Sequence, residues 1–214
     1  LIFAGASRLL AAVRVNHLSY FRRAAILWVL SQFLSVSLAQ TSVQIQIGQN
    51  FAGSDNTETG ITPADGDGAI GPAHYVEFIN GVFSIYAKTN GQRIRRISDS
   101  QFWANAGVVI SSDATISDPR VIFDPLSQRW FASQVDLNAA ASDPTTWANN
   151  FLIAISDTAN PTGGWHGKSF VADPDTGFFA DFPTLGVDAN ALYISGDMFA
   201  NGSTAVGPSL WSIP

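Results

Sequence analysis

Ser117-Asp-Pro-Arg-Val-Ile-Phe-Asp-Pro-Leu-Ser-Gln-Arg-Trp-Phe-Ala-Ser133 decides the reading of this chain, because weaker copies of it stand on either side. Each copy has a leading aspartate, a short apolar strand, a turn, and an aromatic strand that runs back. The copies align on Asp67, Asp118 and Asp181, separated by 51 and 63 residues. That spacing is somewhat above the roughly 40 to 50 residues of familiar propeller blades, and long outer loops would supply the excess. A helical solenoid does not fit. The apolar runs are short, rich in Val, Ile, Phe, Trp and Tyr, and broken by Gly, Pro and Asp.

Working outward from the central copy, Val121–Phe123 and Trp130–Val135 read as a hairpin across Asp124–Arg129. Phe151–Ile155 and Trp165–Val171 then complete a four-stranded unit. In the first copy, strands near Tyr75–Ile79 and Val82–Ala87 flank Asn80-Gly81, the strongest short hairpin signal, and Asn90-Gly91 is a second such turn. The last copy supplies Thr184–Val187, Leu192–Ser195 and Ser209–Ile213, where the sequence stops inside a blade. The expected fold is therefore all-β: a partial β-propeller of four-stranded antiparallel blades over 67–214. A β-sandwich is the runner-up, but it would need no repeat of this length.

The first 39 residues read differently. Arg22 and Arg23 precede an apolar run from Ala24, and Ser37 and Ala39 place small residues where a signal peptidase cuts, so a helical signal peptide ending at Ala39 is expected. The run is interrupted by Gln32 and falls short of the roughly 20 residues of a membrane span. Residues 40–66 read as an N-terminal strand, the alternating Val43-Gln-Ile-Gln-Ile47, and a linker rich in Gly, Asn, Thr and Asp.

Beyond residue 40 the chain has seven basic and 17 acidic residues, a balance of −10. Such a surface repels phosphate backbones and anionic lipid, which argues against nucleic acid and membrane partners. Only Glu58 and Glu77 among the acids are not Asp, and Asp favours turns by bonding nearby backbone N–H groups. With no cysteine, neither disulfides nor thiolate metal sites are available.

Pro63–Tyr75, Asp118–Ser133 and Asp181–Tyr193 together resemble a group of secreted bacterial proteins that look like sialidase-type β-propellers and often carry C-terminal sorting or adhesion modules. Ser156–Trp165 is similar to the Asp-box of sialidases, with altered spacing. The resemblance implies fold and export; it brings no catalytic residue with it.

Several motifs dissolve on inspection. Gly66-Asp-Gly68-Ala-Ile-Gly71 spells a dinucleotide fingerprint but lacks the preceding strand and following helix that the pyrophosphate requires. Asp65-Gly-Asp67-Gly begins like a calcium loop, yet Ala69 takes the third ligand position. His74 and His166 have no zinc-like spacing, and no serine-hydrolase elbow or phosphate loop occurs. Arg93, Arg95 and Arg96 read as a charged strand edge.

What remains is a carbohydrate-binding or other extracellular interaction module, with a glycoside hydrolase or lyase using Asp carboxylates as the alternative. Trp130 and Trp211 fall on strands and read as core between blades, whereas Trp103 and Trp147 lie near loops and are the sugar-contact candidates. Asp67, Asp118 and Asp181, each expected just before the first strand of its blade, would converge on one rim of a central channel. Carboxylates brought together there need compensation, and calcium is the cation such hard oxygen ligands would take.

Overall fold

The computed structural model describes residues 43–137 and 148–214. The expected leader and signal peptide, Trp147 and most of the polar loop expected after Leu137 lie outside the described residues. By its contacts the chain divides into Leu1–Gln46 and Ile47–Pro214. Of the first unit only residues 43–46 are described, and they are exposed and belong to no helix or strand. The strand expected at Val43–Ile47 is absent: Val43, Ile45 and Ile47 are 87%, 86% and 81% exposed. Alternation alone does not make a strand.

The second unit is three antiparallel sheets in succession. The first pairs β1 (Asp67–Ile70), β2 (His74–Ile79), β3 (Val82–Ala87) and β4 (Arg93–Ser98) in that order. The second pairs β5 (Thr115–Asp124), β6 (Arg129–Leu137), β7 (Asn150–Ser156) and β8 (Trp165–Val171), and the third β9 (Phe179–Val187), β10 (Leu192–Ala200) and β11 (Thr204–Ile213). Sequential antiparallel pairing follows from the tight turns, since a two-residue link such as Asn80-Gly81, with Gly81 at φ 89°, can only reverse the chain. The first strands of the sheets are neighbours, β1 beside β5 and β5 beside β9. This is the arrangement of propeller blades around their inner strands, here two blades of four strands and one of three.

Each blade buries its faces against the next. One core gathers Val76, Phe78, Phe83 and Ile85 of the first blade with Val121, Trp130, Ala132 and Leu152 of the second. A smaller one joins Val135 and Phe151 of the second blade to Ala180, Ile194 and Met198 of the third. Trp130, read as core between blades, is fully buried; its ring lies so close to Gly71 of the β1–β2 turn that a Cβ there would stand 2.4 Å from it.

The described residues also hold two short helices, α1 (Asn56–Thr59) and α2 (Asp99–Asn105). Neither was expected. Among the described residues no helix is long and apolar enough to cross a membrane. The Arg93–Arg96 strand edge is β4, the outer strand of its blade, where Arg93 and Arg96 both pair with Glu58 of α1 at 2.9 and 2.7 Å. Gly66 to Gly71 runs along β1 into a hairpin with no helix after it.

Candidate functional site

The inner strands carry the chemistry, and their local irregularity explains how. β5 and β9 are longer than expected because each continues through its leading aspartate with a bulge: the register slips between Ser117 and Arg120 in β5, and opposite Asp181–Thr184 in β9. Pro119 and Pro183 sit at these slips, where a residue without an N–H costs no ladder bond. Asp118 and Asp181 thus lie within their strands, a correction to the expectation that both precede them.

Bulges re-aim side chains, and here they bring the Asp118 and Asp181 carboxyls to one backbone N–H, that of Phe182. Asp118 is buried, at φ 58°; its backbone N–H donates to Asn80 Oδ1 at 2.9 Å and its carboxylate accepts from Ser117 Oγ and, at 3.3 Å, from the Phe182 N–H. One residue therefore binds the first blade through its backbone and the third through its side chain. Burial pushes the Asp118 carboxyl above the ordinary carboxylate range, and the Asp181 carboxyl within hydrogen-bonding reach pushes it further. Asp65, at φ 41°, is raised as well, by burial first and then by the charge of Asp118, although it accepts from the Asn80 amide at 2.8 Å.

The leading aspartates are not equivalent, however. Asp67 heads β1, but its Oδ2 accepts from the Val121 N–H at 2.8 Å and so stitches β1 to β5. The expected convergence of Asp67 with Asp118 and Asp181 is corrected: Asp67 turns to Val121, and it is Asp65, two residues earlier, that shares Asn80 with Asp118. Among the described residues, no group of three or more His, Cys, Asp or Glu side chains is arranged to hold a metal ion.

Beside the carboxyls, the Arg120 guanidinium lies 4.3 Å from the centroid of the Phe182 ring. Phe182 is 51% exposed and holds φ 46°, an unusual backbone for a bulky residue. Among the described residues five non-glycines have positive φ, and the other two, Gln128 and Asn201, occupy hairpin turns. Asp65, Asp118 and Phe182 have no such excuse. Strained backbone of this kind persists only where surrounding contacts hold it, and it gathers at functional sites.

The sugar-contact expectation for Trp103 is corrected. It lies on α2 and is 0% exposed, its indole N–H donating to Gln134 Oε1 at 2.7 Å and its ring packed on Phe102. No face is left for a ligand. A signal for that helix was present: Ser98-Asp-Ser-Gln101 is a capping box, and the Gln101 N–H does donate to Ser98 Oγ at 3.1 Å. His74 lies on β2, and His166 on β8 pairs with Asp157 at the surface, 2.8 Å away.

No protein family and no curated protein sequence matches this chain. Solved structures similar to it include an exo-β-1,3-galactanase from Clostridium thermocellum, at 14% identity and TM-score 0.41, over 72% of this chain and 38% of that one. The exo-β-1,3-galactanase from Phanerochaete chrysosporium with β-1,3-galactotriose is similar at 17% identity and TM-score 0.43, over 79% of this chain and 43% of that one. The chain thus spans about two fifths of the structures it is similar to.

Proposed function

We propose that the chain is a carbohydrate-binding β-propeller module of the cell exterior, and that glycan binds at the rim formed by Asp65, Asp118, Asp181, Arg120 and Phe182. The observation that supports this reading is the coincidence of left-handed backbone at Asp65, Asp118 and Phe182 with a raised, blade-bridging carboxyl. Sugar hydroxyls need donors and acceptors at close quarters, and the rim offers both: carboxyl oxygens, the Arg120 fork, and a proton that Asp118 retains longer than an ordinary carboxylate. The exposed Phe182 ring adds apolar area for pyranose C–H groups. Calorimetric titration with neutral oligosaccharides, β-1,3-galactotriose among them, tests the reading. Asp118→Asn and Phe182→Ala should each weaken binding about tenfold, the loss of one good contact; unchanged affinity in both would remove the rim from consideration.

A second reading, glycoside hydrolysis, is favoured by the raised Asp118 carboxyl, which is the property of a general acid. Its obstacle is spacing. Asp118 and Asp181 lie within hydrogen-bonding reach, whereas carboxyls that flank a glycosidic bond stand roughly 5 to 9.5 Å apart. Hydrolysis would need Asp118 to act with a carboxylate farther off. Release of reducing sugar that disappears in Asp118→Asn would support this reading over simple binding.

A further inference from the structure

The first blade has two unlike faces. Along β2, Val76 and Phe78 point into the core shared with the second blade, while Tyr75 and Glu77 take the opposite face, as strand alternation requires. On that opposite face, residues 51–54 cross the sheet. The Ser54 N–H donates to both Glu77 oxygens at 3.1 and 2.9 Å, the Tyr86 hydroxyl donates to Glu77 Oε2 at 2.9 Å, and Phe51 packs on Tyr75 and Tyr86 with centroids 6.1 and 5.2 Å away. Next to this crossing lies a cleft of about 520 Å³, lined by Gln49, Asn50, Phe51, Tyr75, Glu77 and Lys88.

The cleft is built from glycines. A Cβ on Gly53 would stand 2.0 Å from Glu77 Oε1, one on Gly68 2.1 Å from the Tyr75 hydroxyl, and one on Gly91 2.5 Å from the Phe51 ring. Gly91 is required anyway by its turn, at φ 70°. Gly53 and Gly68 have no left-handed backbone to explain them, so their missing side chains serve the placement of Glu77 and Tyr75. The result is two fixed aromatic rings beside a fixed carboxylate. Glu77 spends about three of its four lone-pair sites on Ser54 and Tyr86 and keeps one on Oε1. The Tyr75 hydroxyl makes no hydrogen bond among the described residues, and Lys88 brings an ammonium that also donates to the Gly71 carbonyl at 3.2 Å.

We infer that this cleft is a second saccharide site, taking one neutral hexopyranose unit of a glycan with its C–H face on Phe51 and Tyr75 and its hydroxyls on Glu77, Lys88 and the Tyr75 hydroxyl. One negative and one positive side chain line it, so an uncharged ligand fits better than an anion or a cation. The opposite face of the same sheet, where Val76, Phe78, Phe83 and Ile85 meet the second blade, shows what a blade-docking surface looks like here; this face, already crossed by residues 51–54, is of another kind. The choice of sugar as ligand rests on the glycan-directed reading above, while the location is independent of the rim.

The test is titration of the whole chain with the same neutral oligosaccharides, followed by calorimetry and by the amide resonances of Gly53 and Gly68. Phe51→Ala, at an exposed position, and Gly53→Ala, which displaces only the end of Glu77, should each lower affinity at this site about tenfold and remove the Gly53 and Gly68 shifts. Asp118→Asn should leave those shifts in place. Binding that survives Phe51→Ala and Gly53→Ala but is lost in Asp118→Asn overturns the cleft and leaves the rim standing; the converse overturns the rim alone. If no saccharide binds or shifts the wild-type chain, both fall.

Discussion

Aspartate plays opposite parts at the edge of this molecule and at its centre. At the N-cap of α1 and at the β5–β6 and β9–β10 turns, Asp55, Asp124 and Asp188 hold their carboxyls below the ordinary range. The Thr57 hydroxyl and N–H stabilise the charged form of Asp55, the Ser127 hydroxyl and N–H that of Asp124, and the Asn190 and Ala191 N–H groups that of Asp188. At the centre, Asp65, just before β1, is raised by burial and by the charge of Asp118, and Asp118, on β5, by burial and by Asp181. Asp99 is raised too, but by burial alone, against hydrogen bonds from Gly81 and Ser100 that oppose the shift. The difference teaches that recurrence of Asp in the repeat has two causes. A turn aspartate stabilises its own hairpin; an inner-strand aspartate is held in place by its neighbours against its electrostatic preference.

The largest expected effect comes from removing what holds the centre together. Asn80 is buried, donates to Pro63 O and Asp65 Oδ2, and accepts from the Asp118 N–H. Asn80→Ala leaves those partners unsatisfied and should cost about 2 to 4 kcal/mol in denaturant unfolding. A loss below about 0.5 kcal/mol, the size of an ordinary surface change, would mean the rim holds itself without Asn80, and the contrast between centre and edge would lose its basis.

Asp118→Asn should act in the other direction. The amide keeps its one oxygen for the Phe182 N–H and turns its NH2 to Ser117 Oγ, a hydroxyl that can accept instead of donate, and it discards the carboxyl that repels Asp65 and Asp181, so the melting temperature at neutral pH should rise, by stability on the order of 1 kcal/mol. The sign in pH follows from the raised value. The folded state binds this proton more tightly than the unfolded chain, so the favourable contribution is complete below the unfolded-state pKa. It is lost as pH rises through the folded one. Asp118→Asn should flatten that decline above the acid range.

Asp124→Ala should give a smaller and opposite result. Its carboxyl is lowered, so its contribution is present above the unfolded-state pKa and is lost as pH falls through the folded value. The variant should melt slightly lower at neutral pH and converge with the parent in acid. If it and Asp118→Asn shifted stability with the same sign, position along the blade would not govern aspartate behaviour.

How much of this was legible in the sequence divides along the same line. The hairpins were, because Asn80-Gly81 and the aromatic alternation of β2, β3 and β6 to β8 are local signals that act within a few residues. The repeat gave Asp118 and Asp181 like positions, and both accept from the Phe182 N–H, at 3.3 and 3.0 Å. The choice between Asp65 and Asp67 was not legible. It depends on which carboxyl meets Val121 of the next blade and which meets Asn80, a long-range matter that no spacing records. Bulges at Asp118-Pro and Asp181-Phe-Pro were hidden for the same reason, although the prolines hinted at interrupted ladders. Helix α2 was missed for a different one. Its capping box was plain, but an aromatic run inside an all-β pattern drew Trp103 into a loop and out of the core.

At the inner rim, Asp118 holds a carboxyl unwilling to ionise. Carbon-detected NMR titration of the aspartate carboxyls tests it directly. Asp118 should titrate above the ordinary carboxylate range while Asp124 and Asp188 titrate below it, and Asp181→Asn should bring Asp118 down. An Asp118 that ionises alongside the turn aspartates, unaffected by Asp181→Asn, would contradict the account and leave the rim as three more turn residues.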